Sequence, residues 1–256
     1  MQSQPNGLGT AYASRVAVVA EQEPIIWMRP EKSAHGPAPM YSRDRIAAVA
    51  IRIADSEGID AVSMRRIAKE LGTGAMTLYR YLPAKEDLYA VMIDQAVGFE
   101  PQEPTGDVHA DLTTLAHRHR QILRRHPWLA PLLASRPIMG PNLLRGTERD
   151  LALLGGRGTR IGEILDVFSL IRNWVNGAVE AELAAADRSG VDQLAWQRRM
   201  GPYLTTLLAT GEFPYLGQMI GAAEFGDADR RFENGLAILL AGVETRLAAI
   251  DASPPA

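Results

Sequence analysis

The stretch from Ser63 to Lys85 concentrates positive charge. Arg65, Arg66, Lys69, Arg80 and Lys85 stand against one acid, Glu70, which leaves +4 here in a chain of 256 residues with a net charge of −3. Guanidinium and ammonium groups at that density suit a polyanion, and phosphate is the natural acceptor. The other chemically capable residues are poorly placed for catalysis. The sequence contains no cysteine, which excludes disulfides, thiolate metal ligands and thiol nucleophiles. It has no G-x-x-x-x-G-K-[ST] loop, no G-x-S-x-G elbow and no H-E-x-x-H helix. Glu180/Glu182 and Asp227/Asp229 are acidic pairs without a partner base. His117, His119 and His126 lie among Arg118, Arg120, Arg124 and Arg125. That positive setting disfavours a metal cation and reads as a solvated face. No enzyme activity, metal or cofactor is expected.

The elements that position the basic cluster follow from periodicity. Ile46, Val49, Ala50, Ile53 and Ala54 mark one face of a helix, and Gly58 suits its end. Ser63 is a good N-cap for a second helix with Met64, Ile67, Ala68 and Leu71 on one face. Gly72-Thr73-Gly74 then turns the chain. A third helix over about Ala75–Leu82 keeps Leu78 and Tyr79 inward and offers Met76, Thr77, Arg80 and Tyr81 outward. Pro83 stops it, and Lys85-Glu86-Asp87 opens a fourth. Two short helices around a glycine turn form a helix-turn-helix, whose second helix enters the major groove of DNA.

The segment Gly58–Leu88 resembles the DNA-binding domain of the tetracycline-repressor (TetR) family. The resemblance rests on Ile67-Ala68-x-x-Leu71-Gly72, the pair Leu78-Tyr79, and Lys85 six residues after the tyrosine. It implies an all-α homodimer. A three-helix N-terminal domain would bind a palindromic double-stranded operator, and a larger helical domain would bind a small-molecule effector and dimerise. By that resemblance Arg65 reads guanine, Ala75, Met76 and Thr77 lie against bases, and Ser63, Thr77, Tyr79, Arg80, Tyr81 and Lys85 lie on or near phosphate. Arg66 and Lys69 read better as a solvated face. For Tyr79 a core role and a contact role both stand.

From Asp107 the pattern stays helical, with spans near 107–126, 127–134, 141–154, 160–186, 192–210 and 229–250, and no strand is expected. The helix over 160–186 carries Ile161, Ile164, Leu165, Phe168, Ile171 and Val175, and that over 229–250 carries Phe232, Leu236, Leu240 and Val243. These stripes either bury within the chain or form the four-helix dimer interface that the resemblance implies. Polar and aromatic residues set among apolar helices are candidates for an effector pocket: His117, Trp128, Arg136, Asn142, Glu148, Phe168, Arg172, Asn173 and Trp174. Leu133-Ala-Ser-Arg136-Pro137 and Phe232–Leu236 resemble the tetracycline-repressor type of C-terminal domain. The magnesium-holding histidine of those proteins would fall near Leu132, so neither tetracycline nor magnesium is expected.

Residues 1–40, with eight prolines and glycines, read as a flexible extension. A short helix over Thr10–Gln22 is the one packed element it offers. Arg29, Lys32 and His35 there form either a minor-groove arm or a tail with no DNA role. Residues 41–99 form the DNA-binding domain and 100–256 the effector and dimerisation domain. No run reaches the roughly 20 apolar residues of a membrane span, and the run Val16–Ala20 has no cleavage site after it, so a cytoplasmic protein is expected. The leading function is a ligand-responsive repressor released from its operator by a small molecule. The alternative is an architectural or activating DNA-binding protein without an effector.

Overall fold

The computed structural model describes residues 24–30, 41–98, 103–135, 139–155, 161–188, 193–221 and 227–251. The helix expected over Thr10–Gln22 and the residues Lys32, His35 and Arg136 lie outside them.

Helix α1 (Arg43–Glu57) begins where the Ser42 hydroxyl accepts the Arg45 N–H at 3.1 Å and ends at Gly58, φ 86°. Its buried face includes Ile46, Val49, Ala50, Ile53 and Ala54, as the periodicity predicts, and widens to Ala47 and Ile51. A 3₁₀ turn over Ile59–Ala61 leads to α2 (Met64–Leu71), capped by Ser63, whose oxygen accepts the Arg66 N–H at 3.2 Å. Gly72 takes a left-handed conformation, φ 66°, which a side chain would strain. Helix α3 (Ala75–Tyr79) is shorter than expected and closes in a turn. Helix α4 (Lys85–Val97) opens with Asp87 accepting the Ala84 N–H at 3.3 Å, and it packs along α1.

The remaining helices are α5 (Val108–Arg125), α6 (Leu129–Ser135), α7 (Pro141–Ala152), α8 (Ile161–Arg188), α9 (Gln193–Ala209), α10 (Pro214–Gly221) and α11 (Ala228–Asp251). Among the described residues there is no strand. Helix α10 is an element that the sequence reading lacked. Helix α5 packs against α8 and α11, and α4 reaches α6 and α7 with the side that α1 leaves uncovered.

The two apolar stripes bury within one chain. Ile164, Phe168, Ile171 and Val175 of α8, with Phe232, Leu236, Leu240 and Val243 of α11, join the core. Gly235 permits the close approach: a Cβ there would stand 2.5 Å from Trp174 Cζ2. Ile161, Leu165 and Leu170 of α8 and Ile238 of α11 remain outside, the last 76% exposed.

Two expectations need correction here. The extension contains a packed element, because Ile26 is only 2% exposed and Trp27 rests against the same core. An apolar Ile-Ile-Trp-Met run between prolines is the physical reason. Arg43 donates to the carbonyls of Ile26 and Arg29 at 3.0 and 2.9 Å, and Arg29 pairs with Asp87 at 3.0 Å, so residues 24–30 are fastened to α1 and α4. The basic run of α5 is likewise solvated only in part, at Arg124 and Arg125. Arg120 is buried, its guanidinium 4.1 Å over the Phe232 ring and bonded to Glu182 at 2.8 Å and Asp229 at 2.5 Å. One acid of each acidic pair is thus a counter-ion.

Candidate nucleic-acid interface and effector cavity

Arg65 lies exposed in the first turn of α2, beside the exposed α3. On α3, Met76 is 77% exposed, Ala75 and Thr77 are partly exposed, and Leu78 is fully buried beneath them. Tyr79, for which core and contact both stood, faces outward, and Tyr81, expected outward, turns inward. Tyr79 is 42% exposed, whereas Tyr81 is half-buried against the core. A five-residue helix has room for one inward position, and Leu78 takes it; the next inward residue is Leu82, beyond the turn. Arg80 is exposed.

Among the described residues, no carboxylate pairs with Arg65, Lys69 or Arg80, while Arg66 is held by Glu57 at 2.8 Å and by Glu70. Arg66 therefore adds little to an outward field, and its neighbours supply it. Ser63 accepts the Arg66 N–H and still has a hydroxyl proton to donate. Lys85 sits 5.1 Å over the Tyr89 ring, which fixes its stem, and a hydrogen bond with Tyr89 raises its pKa and keeps the ammonium charged.

A cavity lies between this headpiece and the larger helical body. Its larger lobe, about 630 Å³, is walled by Ile51 and Arg52 of α1, Gln95–Gly98 at the end of α4, and residues of α5 to α8. A smaller lobe of about 390 Å³ adjoins it and shares His119, Leu133, Thr147, Asp150 and Arg172. Three expected pocket residues meet there: Phe168, Arg172 and Asn173 line the smaller lobe, and Arg172 lines both.

The other candidates stand elsewhere. His117 stacks on Phe232 with ring centres 5.5 Å apart and faces Glu233 at 3.5 Å. Trp128 is core, donating to Asp55 at 2.6 Å. Asn142 opens α7 beside Asp94, Glu148 is exposed on α7 outside the lining, and Trp174 packs on Phe232 with ring centres 4.9 Å apart.

His119 is the lining residue that sequence reasoning assigned to a solvated face. Its Nε2 lies 2.8 Å from Asn176 Oδ1. Burial pushes its pKa down, more than the Asn176 bond raises it, so the ring is neutral near pH 7. The available signal was the spacing Leu115, Arg118/His119, Ile122, Arg125/His126, which lays one face of α5 along the cavity.

Two joints connect headpiece and body across this space. Asp55 of α1 receives Trp128 Nε1 at 2.6 Å and has His126 Nδ1 2.8 Å away. Asp94, near the end of α4 and buried, accepts the Asn142 and Leu143 N–H groups, both at 2.9 Å, and so caps α7. Burial raises the Asp94 pKa, and those two N–H bonds oppose the shift. Gly140 is in contact with that carboxylate: a Cβ there would stand 2.7 Å from Asp94 Cβ and closer still to the carboxyl group. Among the described residues no cluster of three or more His, Asp or Glu side chains could hold a metal ion, and no helix is long and apolar enough to cross a membrane.

A helix-turn-helix with unpaired basic side chains, joined through one helix to a larger helical body, defines a helix-turn-helix regulator. Residues 46–92 match the model of bacterial regulatory proteins of the tetR family, and residues 100–247 match the tetracyclin repressor-like C-terminal domain. The chain belongs to the TetR family of transcriptional regulators. It is 34% identical over 248 residues to the HTH-type transcriptional repressor DrrR1 of Streptomyces coeruleorubidus, covering 94% of this chain and 91% of that one. Apo ActR of Streptomyces coelicolor superposes with a TM-score of 0.65 at 32% identity, over 84% of this chain and 100% of that one. ActR in complex with actinorhodin gives 0.68 at 31% identity, over 82% and 99%.

Proposed function

We propose that this protein is a homodimeric repressor that binds a palindromic operator and is released from it by a small molecule. The observation that carries the reading is the cavity's location: α1, which packs against α2, and α4, which opens with Lys85, also wall it. In this reading residues 41–99, with the packed segment at 24–30, form the DNA-binding domain, and the chain from residue 100 binds effector and dimerises. Arg65 forks onto a guanine edge, Ala75, Met76 and Thr77 meet bases, and Ser63, Tyr79, Arg80 and Lys85 engage phosphate. Tyr81, half-buried, supports the helix and keeps its hydroxyl near the backbone. Phe168, Arg172 and Asn173 hold effector.

Two copies are needed because two recognition helices must reach half-sites about 34–36 Å apart. The outer faces of α8 and α11, with Leu165, Leu170 and Ile238, are the surfaces offered to the second copy. The protein acts in the cytoplasm, where its operator is, and as a regulator rather than a catalyst. Effector in the cavity would favour one headpiece spacing over another, a shift set by its differential affinity for the two states. ActR, a relative of the same architecture, has been solved with actinorhodin bound, which supports an effector role for this cavity.

The test is a gel shift on the intergenic DNA beside the protein's own gene, with wild type and Arg65→Ala. A shift centred on a palindrome and lost or broadened in specificity in the variant supports the reading. Equal affinity and equal base preference for both proteins would sink the assignment of Arg65.

A further inference from the structure

The cavity lining holds a charge excess that its own architecture does not neutralise. Arg52 of α1, Arg118 and Arg125 of α5, Arg149 of α7 and Arg172 of α8 all contribute to it, and Asp150 is the sole acid among the lining residues of both lobes. Asp150 is already engaged, by Arg118 at 2.8 Å and by Arg149 at 2.9 Å. Among the described residues no carboxylate forms an ion pair with Arg52, Arg125 or Arg172. Other guanidinium groups that pack into the fold are matched: Arg120 has Glu182 and Asp229, Arg29 has Asp87, and Arg66 has Glu57 and Glu70.

Arginine stays charged in any protein environment and presents a planar fork that fits a carboxylate in two-point contact. A neutral His119 and the apolar side chains of Leu115, Ile122, Leu133 and Phe168 complete the walls. Such a space repels a cation. A neutral guest would replace the water on the guanidinium groups with weaker, uncharged hydrogen bonds at best. The larger lobe, about 630 Å³, falls within the range of pockets that enclose multi-ring ligands.

We infer that the effector is an aromatic acid, its rings on the apolar walls and its carboxylate held by the arginines that line the cavity without a partner. This rests on the effector reading above and gives it a chemical class. Arg52 adds a regulatory consequence. It belongs to a helix of the headpiece, whereas Arg125, Arg149 and Arg172 belong to the body, so the anion sits in a charge field supplied from both sides of the junction.

Calorimetry on the full-length protein with three matched probes tests this: 9-anthracenecarboxylate, 9-anthracenecarboxamide and 9-(aminomethyl)anthracene. The acid should bind at least about tenfold more tightly than the amide, as charge-assisted hydrogen bonds imply, and the amine most weakly. Added salt should narrow the acid's advantage, and Arg172→Gln should narrow it further. Arg125→Gln serves the same purpose should the first variant fail to fold. An amide or amine that binds as well as the acid overturns the chemical class and leaves the effector reading standing. Binding of none of the three at about 1 mM, the weak end of specific affinity, overturns both.

Discussion

Arg65 and His119 differ in what their sequence context reveals. Arg65 sits in a motif whose capping serine, glycine turn and leucine-tyrosine pair were all legible, and it stands exposed in the first turn of α2. Arg65→Ala should cost about 1–3 kcal/mol on the specific operator and relax preference at one base pair, measured by titration against single-base operator variants. For His119 the helical spacing of α5 gave its face but not its burial, because that environment is assembled from α5, α7 and α8, far apart in the chain. Its folded pKa lies below the ordinary value of 6.5, so near that pH the unfolded chain binds more protons than the folded one. The stability that its neutral burial confers is present above pH 6.5 and is lost as pH falls from there toward the lower folded value. The thermal midpoint of wild type should therefore drop more than that of His119→Gln as pH is lowered from about 7.5 to about 5.5. Parallel curves would mean that the ring is solvated.

At the scale of elements, helices with a clear 3.6-residue stripe and a glycine or proline at each end were legible to within a few residues. Helix α8, expected over 160–186, is Ile161–Arg188, and α11, expected over 229–250, is Ala228–Asp251. Helix α10 was not legible, because Gly211, Pro214, Gly217 and Gly221 punctuate a segment that tertiary context nevertheless folds as a helix. The direction of Tyr79 was not legible for a related reason: one turn of helix gives too few positions for a stripe to point reliably. The joint of α4 and α7 depends on pairing across the fold, with Gly140 leaving room for the Asp94 carboxylate. Gly140→Ala should lower stability by about 1–3 kcal/mol through this overpacking, seen as a fall in urea midpoint. An unchanged midpoint would show that Asp94 moves aside without loss.

For the whole molecule, fold class was legible because periodicity is a property of single segments. The cavity was not, since its walls come from six helices and its volume depends on how they are set together. Of the pocket residues chosen from sequence, Trp128 and Trp174 illustrate the limit: an aromatic on an apolar helix face has the same signature whether it walls a cavity or fills the core. Association of two copies is a question at this scale. With Ile238 at 76% exposure on α11, Ile238→Glu would place a charge on the face proposed to meet a second copy. Sedimentation should show it as monomer where wild type is dimer. Its operator affinity should fall by at least about tenfold, because the two half-sites no longer act as one. A dimeric Ile238→Glu protein would move the interface to another face.

The cap that Asp94 provides also makes the junction spectroscopically visible. The Asn142 and Leu143 amide protons are held by a side chain from the helix that carries the headpiece, rather than by the backbone of their own helix. Their exchange with deuterated solvent therefore clocks how often the two parts separate, while amides in the middle of α7 clock only the unfolding of that helix. A molecule that moves the headpiece should change the lifetime of these two protons first. That would give an assay for effectors needing neither the operator sequence nor a reporter gene.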